Sequence, residues 1–218
     1  MVNKFSITKA LLYLILICLA GYTVFLNTYD RYTLIDFYDE DGVAEWAEVV
    51  CYFFASAIFF LLAKKQGFKN IWYLGYFLLC FFVAAEEFSW GQRVLGITTP
   101  TALESINLQH EINLHNIKGV QEHARMAGGL VILTICGLIP LSNKLIPRAK
   151  DYFNRFKIPV FPLWAAGIPA MAAMLMLAPR LLFGDKNFEL DETGELYLSI
   201  AFLIFSLTEY FKNKSQAN

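Results

Sequence analysis

Carboxylate, imidazole and guanidinium groups are concentrated between residues 41 and 118. In the first group, Asp41, Glu45, Glu48 and Tyr52 recur at spacings of four, three and four residues, which places all four on one face of a helix. Carboxylates one or two turns inside an apolar helix are costly unless they are paired, protonated or hydrated. The pattern therefore predicts that these acids belong to a polar site.

A second polar group follows the next apolar run. Glu86, Ser89 and Arg93 share a helical face at spacings of three and four, and Glu87 points elsewhere. The alternative is that Arg93 only neutralises an acid, while Trp90 anchors the membrane interface. The whole string reads Glu86-Glu87-Phe88-Ser89-Trp90-Gly91-Gln92-Arg93.

A third polar group follows Pro100, where a helix start is expected. If the segment is helical, Asn107, Glu111 and His115 line one face, and His115 lies beside Glu111. The apolar positions fit neither a helical nor a strand period well, so an irregular loop that dips back into the protein is the alternative. The segment reads Asn107-Leu108-Gln109-His110-Glu111-Ile112-Asn113-Leu114-His115-Asn116.

One chemistry that these groups could support is metal binding. Carboxylate and imidazole ligands suit Zn, Mn or Fe, and helices that supply Glu and His resemble the arrangement in di-iron bundles. The Glu-x-x-His spacing of those bundles is absent, because Glu111 and His115 are four residues apart. The candidate metal ligands are Glu45, Glu48, Glu86, Glu111 and His115.

The second chemistry is acid–base catalysis without a metal. His115 would accept or donate the proton, Glu111 would orient it, Glu86 and Glu87 would serve as further acid–base groups, and Arg93 would clamp an anion. As a third possibility, the same residues form a buried hydrogen-bond network that pins the long connection without any chemistry. The amides that would hold a substrate are Gln92, Asn107, Gln109, Asn113 and Asn116.

The elements that must position these groups are membrane-spanning helices. Hydrophobic residues make up 57% of the 218-residue chain, against roughly 45–50% in soluble domains. Charged residues lie between long apolar runs, so we predict an all-α polytopic bundle with a short helix or re-entrant segment in the third connection. The chain 1–218 would form a single transmembrane domain. The predicted spans are about residues 10–26, 43–63, 71–88, 126–142, 159–178 and 196–211.

Charge is distributed unevenly between the connections. Most lysine and arginine residues lie at the two termini and in the second and fourth connections, whereas the first and fifth connections are rich in acid. This bias predicts that both termini are cytoplasmic and that the polar site faces outward. The near balance of 18 basic and 19 acidic residues gives no indication of a nucleic-acid partner.

Two motifs, EE-x-SWGQR at residues 86–93 and N-x-Q-x-E-x-N-x-HN at residues 107–116, resemble the hallmark of an uncharacterised family of bacterial multi-span membrane proteins. The resemblance covers mainly residues 41–118 and implies that this region is the family's shared site. It implies no substrate. A rhomboid-type Gly-x-Ser motif and the His-x-x-x-His pair of membrane hydroxylases are both absent, which disfavours those classes.

These patterns predict a bacterial inner-membrane protein with an outward-facing carboxylate, histidine and arginine site. The expected activity is that of a hydrolase or transferase for a lipid or lipid-linked substrate, with membrane lipids as partners. One alternative is a non-catalytic accessory or assembly subunit that uses its acidic loops and aromatic faces for binding. A transporter is disfavoured, because the cytoplasmic halves of the spans look almost wholly apolar.

Overall fold

The computed structural model describes residues 4–30, 32–33, 42–120, 128–183 and 188–215. Within these ranges the regular structure is helical, with no β-strand, which confirms the predicted all-α class. Asp41, the other acids of residues 34–41, His123 and the start of the predicted fourth span at residues 126–127 lie outside the described residues.

The structure consists of long helices, short helices and short helical turns. Two 3-10 turns cover Ser89–Gly91 and Leu163–Ala165, and a π-helical stretch covers Leu133–Leu138. The helices are α1 Lys4–Tyr29, α2 Val43–Lys65, α3 Ile71–Glu87, α4 Gln92–Leu95, α5 Thr101–Glu104, α6 Gly128–Leu145, α7 Pro147–Arg155, α8 Gly167–Phe183 and α9 Phe188–Ser215.

Most of the predicted apolar spans correspond to long apolar helices. Among the described residues, four helices are long and apolar enough to cross a membrane, and α3 with its continuation to Leu95 makes a fifth if this bent pair is one span. The four are Ile7–Tyr29, Val43–Lys65, Gly128–Leu145 and Leu190–Ser215.

The predicted span 159–178 differs at its start. Residues 159–162 are not helical, and the shorter apolar helix found here covers Leu163–Met176. Pro159 and Pro162 account for the late start, because each removes a backbone donor and disfavours helix in the residue before it. Our prediction of a helix from residue 159 was therefore wrong at that end.

The described chain divides into two compact units. The first comprises the described parts of Met1–Trp46 together with Gly167–Leu198. Small residues allow close packing inside it: a Cβ atom on Gly194 would lie 2.4 Å from Met176 Cγ, and one on Gly167 would lie 2.9 Å from Tyr13 Cε1. The buried Tyr197 hydroxyl donates to the Leu16 carbonyl oxygen at 2.5 Å.

The second unit comprises Ala47–Ala166 and Ser199–Asn218 and contains most of the predicted site. Its core is a cluster of four buried aromatic rings from α2, α3, α9 and the extended segment before Leu163, with centroids 5.1–5.4 Å apart. The rings are those of Phe59, Tyr76, Phe161 and Phe205. Our prediction of one domain over residues 1–218 stays a prediction.

Candidate functional site

The third connection is mostly irregular. Residues 105–120 form turns closed by an isolated antiparallel bridge between Asn107 and Ile117, in which the Lys118 N–H donates to the Ile106 carbonyl oxygen at 2.9 Å. The helical face proposed for Asn107, Glu111 and His115 is therefore wrong. The alternative of an irregular loop is correct, and we call residues 105–120 the polar loop.

Asn107 organises the polar loop from within. Its buried side-chain oxygen accepts the backbone N–H groups of Gln109 at 2.9 Å and Glu111 at 3.2 Å. Its amide nitrogen donates to the carbonyl oxygen of Asn113 at 3.0 Å and to the Asn113 side-chain oxygen at 2.8 Å. Asparagine side chains that bond to nearby backbone compete with helix formation, which explains why this segment turns.

The carboxylate of Glu86, at the end of α3, joins the helix to the polar loop. One oxygen accepts the indole N–H of Trp90 at 2.7 Å. The other accepts the backbone N–H groups of Leu114 at 2.7 Å and His115 at 3.1 Å, and it lies 3.5 Å from His115 Nδ1. Glu86 is buried, whereas 35% of the His115 side chain is exposed. Glu86 thus contacts His115, whereas Glu111, which we predicted beside His115 on a helical face, has other partners.

Glu111 has a different set of partners. One of its oxygens forms an ion pair with the Arg93 guanidinium. The other accepts hydrogen bonds from the Ser89 hydroxyl and from the Asn113 amide, the latter at 2.8 Å. Because a buried carboxylate is costly without such partners, this cluster stabilises the polar loop against the end of α3.

Gln92 forms a third link between the two strings. Its amide nitrogen donates to the Thr99 hydroxyl at 2.6 Å, and its oxygen accepts the Ile112 N–H at 2.6 Å. The Thr99 hydroxyl in turn donates to the His110 carbonyl oxygen at 2.5 Å. Both the nitrogen and the oxygen of the Gln92 amide form hydrogen bonds within the protein. The side chain therefore supports the loop more than it offers groups to a substrate.

A backbone break after α3 allows these contacts. Ser89, Trp90 and Gly91 have positive φ angles of 44°, 54° and 80°, and the chain bends by 65° between α3 and the helical segment Ser89–Leu95. Positive φ is unusual for residues other than glycine and marks a conformation held by its surroundings. The bend turns Ser89 and Arg93 towards Glu111, so both reach the loop although the helix does not continue.

An apolar pocket adjoins this network. It has a volume of about 250 Å³ and is lined by Trp90, Leu103, Ile112, Asn113 and Leu114. Trp90 and Leu114 are each about half exposed. Both donate an N–H hydrogen bond to the Glu86 carboxylate, which also contacts His115. The pocket wall and the imidazole are thus positioned by one buried group.

The remaining predicted metal ligands are Glu45 and Glu48. The buried Glu48 on α2 and the half-buried Glu87 bring carboxylate oxygens within 4.8 Å of each other, while Glu45 is half-buried in the first unit. In the part of the chain that the structure describes, no three of the predicted metal ligands bring one ligand atom each within 4.8 Å of one another. The prediction of a metal site on these residues stays a prediction.

The other predicted substrate amides contribute mainly to the loop. Gln109 is half-buried, and Asn116 is buried, with its carbonyl oxygen accepting the Leu108 N–H at 2.9 Å. Asn113 is the predicted amide that also lines the pocket.

Two features were missed at the sequence level. The first is the pocket, since apolar wall residues in a loop carry no recognisable spacing. The second is Glu209 near the end of α9, which is buried and accepts the Tyr73 hydroxyl at 2.8 Å. The Tyr73 oxygen accepts the Asn213 amide at 2.9 Å. The expectation that the cytoplasmic halves of the spans are almost wholly apolar did not take this buried carboxylate into account.

The fold and the site define an all-α protein with several long apolar helices and a polar loop pinned to the end of one of them. No family model, curated protein or solved structure matches this chain.

Proposed function

We propose that this chain is an integral protein of a bacterial inner membrane, with six spans and both termini in the cytoplasm. The four long apolar helices, the bent pair from Ile71 to Leu95 and the shorter apolar helix Leu163–Met176 together supply six apolar segments. The concentration of lysine and arginine at the termini and in alternate connections supports this orientation. The polar loop then lies at the outer surface.

The polar loop and its pocket act on a lipid or lipid-linked substrate as a hydrolase or transferase. The observation that carries this proposal is the position of Glu86, whose carboxylate contacts His115 and also two residues of the pocket wall, Trp90 and Leu114. His115 does not line the pocket but directly follows the wall residue Leu114, so a substrate in the pocket would lie near its partly exposed imidazole. Proximity to a positioned acid–base group is the basic requirement for proton transfer.

The roles follow from these contacts. His115 is the acid–base group, because its side chain is partly exposed and imidazole titrates near neutral pH. Glu86 takes the orienting role that we predicted for Glu111. Arg93 and Glu111 hold the loop, and the exposed quarter of the Arg93 side chain supplies positive charge for an anionic part of the substrate.

The size and lining of the pocket support a lipid as the substrate class. About 250 Å³ is slightly less than the roughly 300–1,000 Å³ of sites that enclose a whole small molecule. Four of the five lining residues are hydrophobic. A segment of a hydrocarbon chain fits such a pocket, with the rest of the lipid in the bilayer.

The experiment is photo-crosslinking in lipid nanodiscs with phosphatidylglycerol that carries a diazirine in its acyl chain. We expect labelled peptides to concentrate around Trp90 and between Leu103 and Leu114. Leu114→Gln should lower this labelling several-fold, while Leu95→Gln should leave it unchanged, because Leu95 is also exposed but does not line the pocket. Labelling spread evenly over the spans, or equal in both variants, would contradict a lipid site here.

A second candidate function is that of a non-catalytic accessory subunit. It is favoured because both carboxylates already have protein partners. Glu86 and Glu111 each accept several hydrogen bonds from the polar loop and from the segment after α3. Such a network can exist for packing alone. Under this alternative, a His115→Gln protein retains all of its function, which separates it from the enzyme.

A further inference from the structure

The helix α7 and its flanking residues 144–157 carry a concentration of positive charge. Five lysine or arginine residues fall in this stretch against a single acid, Asp151. All five basic residues are exposed. They are Lys144, Arg148, Lys150, Arg155 and Lys157.

The same helix also has an apolar stripe. Ala149, Phe153 and Phe156 recur at spacings of four and three, which is the period of one helical face, and Ile146 is the extended residue directly before the helix. Ala149 and Phe153 are half-buried, whereas Ile146 and Phe156 are about half exposed, as is Tyr152 at the edge of the stripe. A helix that leaves aromatic and aliphatic side chains exposed beside strong positive charge is typical of a membrane surface.

The charged residues flank the stripe on both sides. With 3.6 residues per turn, Arg148 and Arg155 lie on one side of it and Lys150 lies on the other, while Asp151 points away. The Arg155 guanidinium lies 5.8 Å from the centre of the Phe156 ring. Long basic side chains on either side of an apolar stripe can reach lipid phosphates while the stripe enters the acyl boundary.

Both ends of α7 are fixed where apolar helices end. Its first residue, Pro147, is separated from the end of α6 by Ile146 alone. At the other end, the Lys157 carbonyl oxygen accepts the side-chain amide of Asn70 at 3.1 Å. Asn70 is the N-cap of α3, and its side-chain oxygen accepts the Trp72 N–H. With α6 and α3 spanning the membrane as proposed above, α7 joins them where they end and would lie at the boundary of the bilayer.

We propose that α7 with residues 144–157 is an in-plane interfacial helix that binds the phosphate headgroups of anionic membrane lipids. Anionic lipids are the expected ligand because their phosphates complement the positive charge of the helix. The apolar stripe would contact the acyl chains, and the flanking lysine and arginine side chains would reach the phosphates. The proposal rests on the membrane placement proposed above and is independent of the chemistry at His115.

The test is native mass spectrometry of the full-length protein, purified in mild detergent and titrated separately with phosphatidylglycerol and phosphatidylcholine of identical acyl chains. The variant Arg148→Gln/Lys150→Gln/Arg155→Gln removes charge from α7. The matched control Lys64→Gln/Lys65→Gln/Lys69→Gln removes the same charge from the exposed end of α2 and the turn that follows it. Both variants keep the aromatic residues.

We expect the wild type to retain phosphatidylglycerol over phosphatidylcholine and the α7 variant to lose at least tenfold in that preference, since each basic residue near an anionic surface contributes roughly fivefold in affinity. The control should keep most of the preference. An equal loss in both variants, or no loss in either, would overturn the site at α7. A chain recovered in the soluble fraction after cell lysis would instead contradict the membrane placement itself, so the two failures are distinguishable.

Discussion

One oxygen of the Glu86 carboxylate contacts both the backbone and the ring of His115, at 3.1 Å from the backbone nitrogen and 3.5 Å from Nδ1. The same oxygen accepts the N–H of Leu114 at 2.7 Å. Because Leu114 and His115 follow Glu86 by 28 and 29 residues, this oxygen joins two distant parts of the chain. The position of the imidazole and of the pocket wall therefore depends on one buried group.

Replacing Glu86 should loosen the polar loop. Glu86→Ala leaves two backbone N–H groups and the Trp90 indole without their acceptor, and each of these partly buried donors should cost about 1 kcal/mol, the lower end of the range for buried groups. We expect a lower unfolding temperature in detergent and faster protease cleavage within residues 105–120. Glu86→Gln keeps an oxygen acceptor and should be milder. The control Glu104→Gln changes an exposed acid on α5 and should behave as wild type. Equal stability of Glu86→Ala and Glu104→Gln would show that the network contributes little.

Arg93 and Glu111 should be energetically coupled. Their ion pair links the segment after the bend to the loop, and Glu111 is buried. A double-mutant cycle with Arg93→Gln and Glu111→Gln, read from urea or thermal unfolding in detergent, should give a coupling energy of about 1–3 kcal/mol. The single Arg93→Gln variant should be the worse of the two, since it leaves a buried carboxylate without its cation. Additive effects of the two substitutions would mean that the pair is not formed.

The backbone break after α3 should be sensitive to a side chain at Gly91. This residue has a φ of +80°, and a Cβ atom there would lie 3.3 Å from Phe88 Cε1. Gly91→Ala should lower the free energy of unfolding by about 1–3 kcal/mol, because an L residue is strained in this conformation. Gly75→Ala is the matched control: Gly75 lies within α3, and a Cβ atom there meets nothing within 4 Å. That substitution should be neutral or stabilising, given the higher helix propensity of alanine.

The long helices could be predicted from the sequence because their signal is local. An apolar run at residues 43–63 corresponds to the helix Val43–Lys65, and the run at 10–26 lies inside Lys4–Tyr29. The length of each apolar run is enough to predict a helix of this kind. Where prolines interrupt the run, at residues 159–162, the helix begins later than we predicted.

The pairings in the site could not be predicted because they are non-local. Helical spacing predicted Ser89 and Arg93 beside Glu86, and His115 beside Glu111. In the structure, Glu86 contacts His115, and Glu111 contacts Ser89 and Arg93. The reason lies in two residues: Asn107 bonds to its own loop and prevents a helix, and Trp90 adopts a positive φ that its residue type does not suggest. A helical wheel cannot represent either effect.

The last prediction separates chemistry from packing at the two histidines of the polar loop. His115→Gln keeps the backbone N–H that Glu86 accepts, so we expect a loss of stability below about 1 kcal/mol. If His115 is the acid–base group, conversion of bacterial lipid extracts by the protein in nanodiscs, followed by mass spectrometry, should fall by roughly 10²-fold or more in this variant. His110→Gln is the control, because His110 is exposed and its Nδ1 lies 3.1 Å from a backbone carbonyl oxygen, that of Glu104. It should leave conversion unchanged. A His115→Gln protein that converts lipid at the wild-type rate would exclude imidazole catalysis, because the fold and the pocket remain intact in it.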